Sequence, residues 1–316
     1  MKKYLVIGNP IEHSLSPKIH NFWLKEHNID AVYEKKKIDE TDLSKVVSSI
    51  KSDEIDGANI TTPFKSSIIP HINSLYDSSV AGISGSSLPL ETYRGLAVEP
   101  KSVNTLFKID KLVMGANTDT GGFLDSLQLL KINVKNKKIL VLGSGGVVYS
   151  IIFILKNQGA SKIYLTNRTK SKAEEIKTVH TNNNNKSIIE ILDWEELDKN
   201  LIEVDIIINA TSLGLKKNDV INLNYENFKN KIFYDIVYNK KENLPVVTSA
   251  FQGTTFLAMG VENKNTAING ASMLIFQAAR AFSIWHGFNP IEKKITNFKN
   301  TIKHVFPDFH KENKTY

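Results

Sequence analysis

The chain contains no cysteine. Disulfides, thiolate zinc sites and thiol nucleophiles are therefore excluded, while a reducing compartment is compatible but not demanded. Long hydrophobic runs are also missing. The most apolar helical segment, Val147–Leu155, has the length of a core helix and not of a membrane span. Met-Lys-Lys leads into Tyr4-Leu5-Val6-Ile7, a run too short for a signal peptide and suited to a first buried strand. Without a secretion signal, the Asn-x-Thr triplets at Asn59, Asn167 and Asn209 read as chance matches. The eight histidines form no His-Glu-x-x-His pattern, so no metal site is expected. Acids are in deficit, 33 against 40 basic residues, for a net charge of +7. The lysines are spread along the chain with no nucleic-acid-reading motif. The charge therefore reads as a Lys-rich surface that also attracts anions, with no nucleic-acid or membrane partner expected.

A chain of 316 residues is long for one core, and two domains are expected. Strand-like apolar runs alternate with helical patterns, which argues for a parallel α/β architecture. Strands are expected at Tyr4–Ile7, Ala31–Ile38, Gly57–Ile60, Val103–Ile109 and Leu112–Ala116, the last two joined by a turn at Asp110-Lys111. Ser16 suits a helix N-cap and Pro17 the first helical position, and that helix should bury Ile19, Phe22 and Trp23. Another helix is expected from about Asp42, and Thr61-Thr62-Pro63 marks the start of a further one. Residues 77–100 are rich in Ser, Gly and Pro and read as a long loop. In the second half, strands are expected at Lys138–Leu142, Lys162–Thr166, Val204–Asn209 and Ile232–Val237. Helices are expected near Thr118–Leu130 and Gly270–Trp285, with an amphipathic one at Ile295, Phe298, Ile302 and Val305. The tract Asn182–Asn185 reads as a solvent loop.

Gly143, Gly145 and Gly146 lie between a buried strand and a helix. In that context glycines permit a tight turn and let a pyrophosphate approach the helix N-terminus. The third fingerprint position is Val148, bulkier than the usual Gly or Ala, so looser helix–strand packing is expected there. A glycine turn without a ligand is the plainer alternative. NAD-binding units usually place an acid about 20 residues after the first glycine. Here the next strand ends at Thr166 and continues Asn167-Arg168-Thr169-Lys170-Ser171-Lys172. A small polar cap and a planar cation suit a 2′-phosphate, which favours NADP over NAD.

Reduction of a ketone by a nicotinamide needs a proton donor beside the carbonyl oxygen. Tyr-x-x-x-Lys occurs as Tyr33/Lys37 and Tyr225/Lys229, and both read as accidental because neither lies on a helix beside the cofactor. Lys65 and Asp119 each follow the carboxyl end of an expected strand, where open α/β sheets bind ligands. A partly desolvated lysine paired with a carboxylate can hold or pass a proton. Taken alone, each is equally an ordinary solvated charge or a cap.

Ordered motifs bear on the choice. Ile7-Gly8-Asn9-Pro10-Ile11-Glu12-His13-Ser14-Leu15-Ser16-Pro17 is followed by Gly57-Ala58-Asn59-Ile60-Thr61-Thr62-Pro63-Phe64-Lys65, Val103-Asn104-Thr105 and Asn117-Thr118-Asp119. Then come Val141-Leu142-Gly143-Ser144-Gly145-Gly146, Asn167-Arg168-Thr169, Asn209-Ala210-Thr211-Ser212, Asp235 with Tyr238, and Gly270 with Met273, Leu274 and Gln277. Over nearly its whole length the sequence resembles the shikimate dehydrogenase family.

That resemblance implies a two-domain α/β fold: a discontinuous substrate domain with a mainly parallel sheet, residues 1–118 plus 270–316, and a Rossmann-type doubly wound NADP-binding domain, residues 119–269. Hydride transfer would occur in the cleft between them. It implies a cytoplasmic enzyme, monomer or homodimer, that interconverts 3-dehydroshikimate and shikimate with NADP(H). Lys65 would be the proton donor and Asp119 its partner. Ser14 and Ser16 would bind the substrate carboxylate with help from Tyr238, and Thr61, Asn104 and Gln277 the ring hydroxyls. Gly143, Ser144, Gly145, Gly146 and Val147 would line the cofactor. Asn167, Arg168, Thr169 and Lys172 would hold the 2′-phosphate, and Ile236 and Gly270 would face the nicotinamide.

Three departures from the family pattern bear on substrate choice. They are the segment 82–100 with Glu99-Pro100-Lys101-Ser102, the turn Asn269-Gly270-Ala271-Ser272, and a long C-terminal tail. The competing readings are a quinate/shikimate dehydrogenase with relaxed substrate or NAD use, and a non-catalytic NADP-sensing protein. Asn167-Arg168-Thr169 and the retained Lys65 and Asp119 weigh against them.

Overall fold

A computed structural model describes residues 1–76, 101–181, 187–197, 203–214, 219–238, 254–291 and 295–307. The segment 82–100, the Asn182–Asn185 tract and the end of the tail from residue 308 lie outside the described residues. The chain divides into two compact units, Met1–Ser126 with Ile275–Pro307, and Leu127–Leu274.

The first unit runs β1 (Lys2–Gly8), α1 (Ser16–Glu26), β2 (Ala31–Lys37), α2 (Leu43–Lys51), β3 (Gly57–Ile60), β4 (Ser74–Tyr76), β5 (Thr105–Ile109), β6 (Leu112–Ala116) and the start of α3 (Thr118–Leu129). The strands form one six-stranded sheet in the order β2-β1-β3-β5-β6-β4. β1 pairs parallel with β2 and β3, and β4 with β6, while β5 runs antiparallel to both its neighbours. The antiparallel pair follows from its short turn, where Asp110 takes a positive φ of 54°. One face buries Leu5, Ile7, Ile60 and Leu106 against Leu43, Val46 and Ile50 of α2.

Two local expectations need correction. Leu15, not Ser16, is the N-cap of α1, and Ser16 occupies the first helical position. The side chain that serves the helix start is Ser14, whose Oγ accepts from the Ser16 N–H at 3.3 Å. Phe22 is only partly buried, whereas Ser16, Ile19, His20, Trp23 and Leu24 are buried. After Thr61-Thr62-Pro63 the chain forms successive turns and the short 3-10 segment Ile69–His71 instead of an α-helix. Its amides bond mostly three residues back, as in Phe64 N–H to Thr61 O at 3.0 Å, which winds the coil with fewer residues per turn than an α-helix.

The second unit runs β7 (Lys138–Leu142), α4 (Gly146–Asn157), β8 (Lys162–Thr166), α5 (Lys170–His180), β9 (Ile189–Leu192), β10 (Ile206–Asn209), β11 (Ile232–Asp235), α6 (Thr255–Glu262) and β12 (Thr266–Ile268). Its sheet order is β12-β11-β10-β7-β8-β9, parallel throughout. Numbered within the unit this is 6-5-4-1-2-3, the doubly wound order whose switch point lies between β7 and β10. β7 and β10 are almost wholly buried, as central parallel strands covered on both faces must be. α7 (Ala271–His286) and α8 (Ile295–Val305) complete the chain, α8 docking on α1 through the Trp23 Nε1–H to Thr301 Oγ1 bond of 2.9 Å. Among the described residues no helix is long and apolar enough to cross a membrane.

Candidate active site

In the first unit, Lys65 Nζ donates to Asp119 Oδ2 at 2.5 Å, with the two side chains only 15% and 7% exposed. Lys65 stands in the turns after β3, and its carbonyl accepts from Val103 N–H at 2.8 Å, tying those turns to the segment before β5. Asp119 stands in the first turn of α3, where unpaired helix N–H groups favour an anion. Asn117 caps that helix, its Oδ1 accepting from Asp119 N–H at 3.0 Å. The carboxylate is held from its other side by Asn104, whose Nδ2 donates to Asp119 Oδ1 and to Thr118 Oγ1, both at 2.9 Å. Asn104 Oδ1 accepts from Thr118 N–H at 2.8 Å and from the Thr105 hydroxyl at 3.1 Å. Both N–H groups of Asn104 are thus committed to protein partners. Each oxygen of Asp119 takes one donor, which presents Lys65 Nζ in a single direction.

The remaining substrate candidates of this unit sit on neighbouring elements. Ser14 is half-buried and Ser16 buried at the start of α1. Thr61 continues β3, its N–H bonded to Ile7 O at 2.9 Å. A Cβ at Gly8 would lie 2.4 Å from Thr61 Cγ2, so the absence of a side chain there lets Thr61 lie against the Gly8–Ile11 turn. Gln277 lies on α7 directly over α3, since a Cβ at Gly122 would come 2.7 Å from Gln277 N and Cβ. One turn along each helix, Arg280 pairs in bidentate fashion with Asp125, at 2.8 Å and 3.0 Å. Tyr238 belongs to the second unit, where it is half-buried after β11.

The nucleotide candidates gather at the carboxyl end of the second sheet. Gly143 has φ +111°, and a Cβ there would lie 2.8 Å from Ala210 O, at the end of β10. Its N–H donates to Thr166 O at 2.8 Å, closing the switch point toward β8. Gly145 is the N-cap of α4, with no atom within 4 Å of where its Cβ would be. Open space beside a helix N-terminus at the switch point fits a pyrophosphate. Ser144, Gly146 and Val147 complete the turn. Val148 is fully buried, so the helix packs onto the sheet with a valine at the third fingerprint position. Thr169 is the N-cap of α5, Asn167 is half-buried with its Nδ2 donating to Thr169 O at 3.0 Å, and Arg168 and Lys172 are exposed. Gly270 packs on Ile236, a Cβ there lying 2.1 Å from Ile236 O.

Beneath Ile236 lies a group that sequence reasoning assigned no role. Asp235 is fully buried. Its Oδ1 accepts from Asn209 Nδ2 at 3.0 Å and from Val237 N–H at 2.9 Å, and its Oδ2 from the Thr254 hydroxyl at 2.5 Å. Burial pushes its carboxyl up to about 7, against the pull of these three donors. Asn59, Thr105 and Thr118 were likewise missed as a network. Their place in the motifs was the only signal. The two Tyr-x-x-x-Lys pairs are not helical: Tyr33 and Lys37 lie on β2, and buried Tyr225 lies in a 3-10 turn with its hydroxyl donating to Ile221 O at 3.1 Å. Among the described residues no cluster of acids and histidines could hold a metal.

Comparison with known proteins is consistent with this arrangement. The family model for the shikimate dehydrogenase substrate binding domain matches residues 6–82, and that for shikimate / quinate 5-dehydrogenase matches residues 126–238. The NADP(+) shikimate dehydrogenase of Pelagibacter ubique (strain HTCC1062) is 44% identical over 290 residues, covering 92% of this chain and 95% of its own. The crystal structure of shikimate dehydrogenase from Aquifex aeolicus superposes with a TM-score of 0.75 at 31% identity, covering 96% of this chain and 98% of its own. A shikimate dehydrogenase solved in complex with NADP+ gives a TM-score of 0.75 at 29% identity over 96% of this chain and 94% of its own.

Proposed function

Since the chain belongs to the shikimate dehydrogenase family, we propose that it reversibly reduces 3-dehydroshikimate to shikimate, with Lys65 handling the proton and Asp119 holding Lys65. The observation that carries this reading is the buried Lys65–Asp119 pair, fixed by Asn104 at the carboxyl edge of the first sheet. NADPH, when bound, supplies the hydride. Lys65 Nζ donates a proton to the carbonyl oxygen as negative charge develops there, and takes it back from the alcohol in the reverse direction. Asp119, anchored at a helix start and by Asn104, holds Lys65 without having to reorganise.

Ser14 and Ser16 hydroxyls bind the substrate carboxylate, with Tyr238, and Thr61 and Gln277 bind ring hydroxyls. Asn104 reaches a substrate hydroxyl only by giving up its bond to Thr118, so its larger part is to orient Asp119. Gly143, Ser144, Gly145, Gly146 and Val147 shape the pyrophosphate site. Asn167, Arg168, Thr169 and Lys172 hold the 2′-phosphate, and Ile236 and Gly270 face the nicotinamide. In domain terms, residues 1–118 with 270–316 bind substrate and residues 119–269 bind NADP. The protein acts in the cytoplasm as monomer or homodimer, without nucleic-acid or membrane partners.

The test is to mix purified protein with NADP+ and shikimate and follow absorbance of the reduced cofactor, with NAD+ and quinate as controls. Reduction is expected with NADP+ and shikimate, and Lys65→Ala is expected to lower kcat by about 10²- to 10⁴-fold. Equal turnover of quinate, or a Lys65→Ala variant as fast as wild type, contradicts the assignment.

A further inference from the structure

Tyr33 lies on β2, separated from β3 by β1. Both Tyr33 and Gly57 pair with Tyr4, so Asn59, two residues beyond Gly57, points to the same face as Tyr33. Two strand spacings are about 9.5 Å, and a tyrosine meeting an asparagine can bridge that span. The Tyr33 hydroxyl does so, donating to Asn59 Oδ1 at 2.6 Å with both residues buried. From there each bond has a fixed sense. Asn59 Nδ2 donates to Asn104 O and to Thr105 Oγ1, both at 2.9 Å. The Thr105 hydroxyl, having accepted, donates on to Asn104 Oδ1 at 3.1 Å. Asn104 Nδ2 is thereby left to face Thr118 and Asp119. Main-chain groups fix both amides independently: a carbonyl can only accept from Asn59, and the Thr118 N–H can only donate to Asn104.

The start of this chain is itself clamped. The Tyr33 ring stacks on buried His20, centroids 4.2 Å apart and planes 1° apart. The Asn21 amide brackets its backbone, accepting from Tyr33 N–H at 3.0 Å and donating to Tyr33 O at 2.8 Å.

We infer that Tyr33 is a positioning residue for the proton-transfer pair, acting through Asn59, Thr105 and Asn104 to set the direction in which Asp119 presents Lys65. The inference rests on the reading of Lys65 and Asp119 as the proton-handling pair. Tyr33→Phe keeps the ring stack and removes only the hydroxyl. It leaves Asn59 Oδ1 buried without this donor, so the amide is held only through its Nδ2 bonds to Asn104 O and Thr105 Oγ1 and loosens. A second variant, Asn59→Asp, breaks the chain one link later by removing its N–H donors.

The experiment measures kcat, the two KM values and the Asn104 side-chain amide resonances, assigned by their loss in Asn104→Ala. In both variants kcat should fall about five- to tenfold, the KM for NADP+ should stay within twofold of wild type, and the Asn104 amide resonances should shift. A merely structural role predicts a lower melting temperature with unchanged kcat per folded molecule. A kcat within twofold of wild type in a folded variant overturns the inference. If the wild type turns over no shikimate, the reading of the site fails. The resonances then still decide whether Tyr33 holds Asn104: a shift supports that link and no shift overturns it.

Discussion

The Lys65–Asp119 pair is asymmetric in its consequences. Removing Lys65 leaves a buried carboxylate that keeps only Asn104 and its helix start, whereas removing Asp119 frees a long side chain that can find other orientations. Arg168 is a different kind of residue. It is exposed, stands two residues past the β8 strand end and has no ion-pair partner among the described residues. A charge-assisted bond to a phosphate is worth about 1.5–3 kcal/mol. Arg168→Ala should therefore raise the KM for NADP+ about tenfold or more, leave kcat nearly unchanged and scarcely alter any turnover with NAD+. Equal losses with both cofactors would show that Arg168 does not read the 2′-phosphate.

Elements impose their own constraints through close approach of backbone to backbone. Gly143 follows β7 in a left-handed conformation and abuts Ala210 O just past β10, so any side chain there meets both a φ penalty and a carbonyl. Gly143→Ala should destabilise the second unit by about 1–3 kcal/mol and lower NADP+ affinity, read by thermal unfolding and calorimetry. Gly145→Ala is the control: with φ −69° and no neighbour within 4 Å it should fold normally and lose affinity only through intrusion on the ligand. Normal NADP+ binding by Gly145→Ala would move the pyrophosphate away from this turn. Gly121 and Gly122 perform a similar service in α3, letting Arg280 and Gln277 of α7 lie directly on the helix backbone.

Across the whole molecule, burial sets opposing pH responses. His20 is pushed down to about 3, and His180 and His286 to about 4, in each case mainly by desolvation. Unfolded histidines titrate near 6.5, so as pH falls below about 6.5 the unfolded chain binds protons that the fold refuses, and stability drops. Asp235 works the other way. Raised to about 7, it holds a proton in the fold between pH 7 and its unfolded value near 3.9, so its contribution grows as pH falls through 7. His20 and His286 belong to the first unit, His180 and Asp235 to the second. Acidification from pH 7 to 5 should therefore lower the unfolding temperature of the first unit while that of the second stays nearly constant. Calorimetry across that range, with NADP+ marking the second unit's transition, checks this. A second unit that falls as steeply as the first would show that Asp235 is ionised in the fold.

What the sequence determined on its own was whatever depends on neighbouring residues. Apolar runs bounded by turns marked Gly57–Ile60, Leu112–Ala116, Lys138–Leu142 and Lys162–Thr166 at the limits the structure has. Glycines between a strand and a helix marked the switch-point turn, and the missing acid after Thr166 pointed to NADP. The short strands Ser74–Tyr76, Ile189–Leu192 and Thr266–Ile268 were not legible, because they are mostly unburied edge strands that owe their conformation to the one strand each pairs with, whereas the equally short Gly57–Ile60 is central and fully buried. Helix α6 also escaped notice. Its run Phe256-Leu257-Ala258 gains meaning only when buried beneath β11 and β12. Ser16 was read as a cap, but the neighbouring Ser14 side chain took that place because the turn from Ile11 brought its oxygen to the Ser16 N–H. Tyr33 looked like half of an accidental motif. Only a parallel sheet that sets β2 and β3 on either side of β1 brings its hydroxyl to Asn59, 26 residues away, and through it to the aspartate that holds Lys65. Hydrogen bonds act over about 3 Å regardless of separation along the chain, so their partners are decided by strand register and not by sequence spacing.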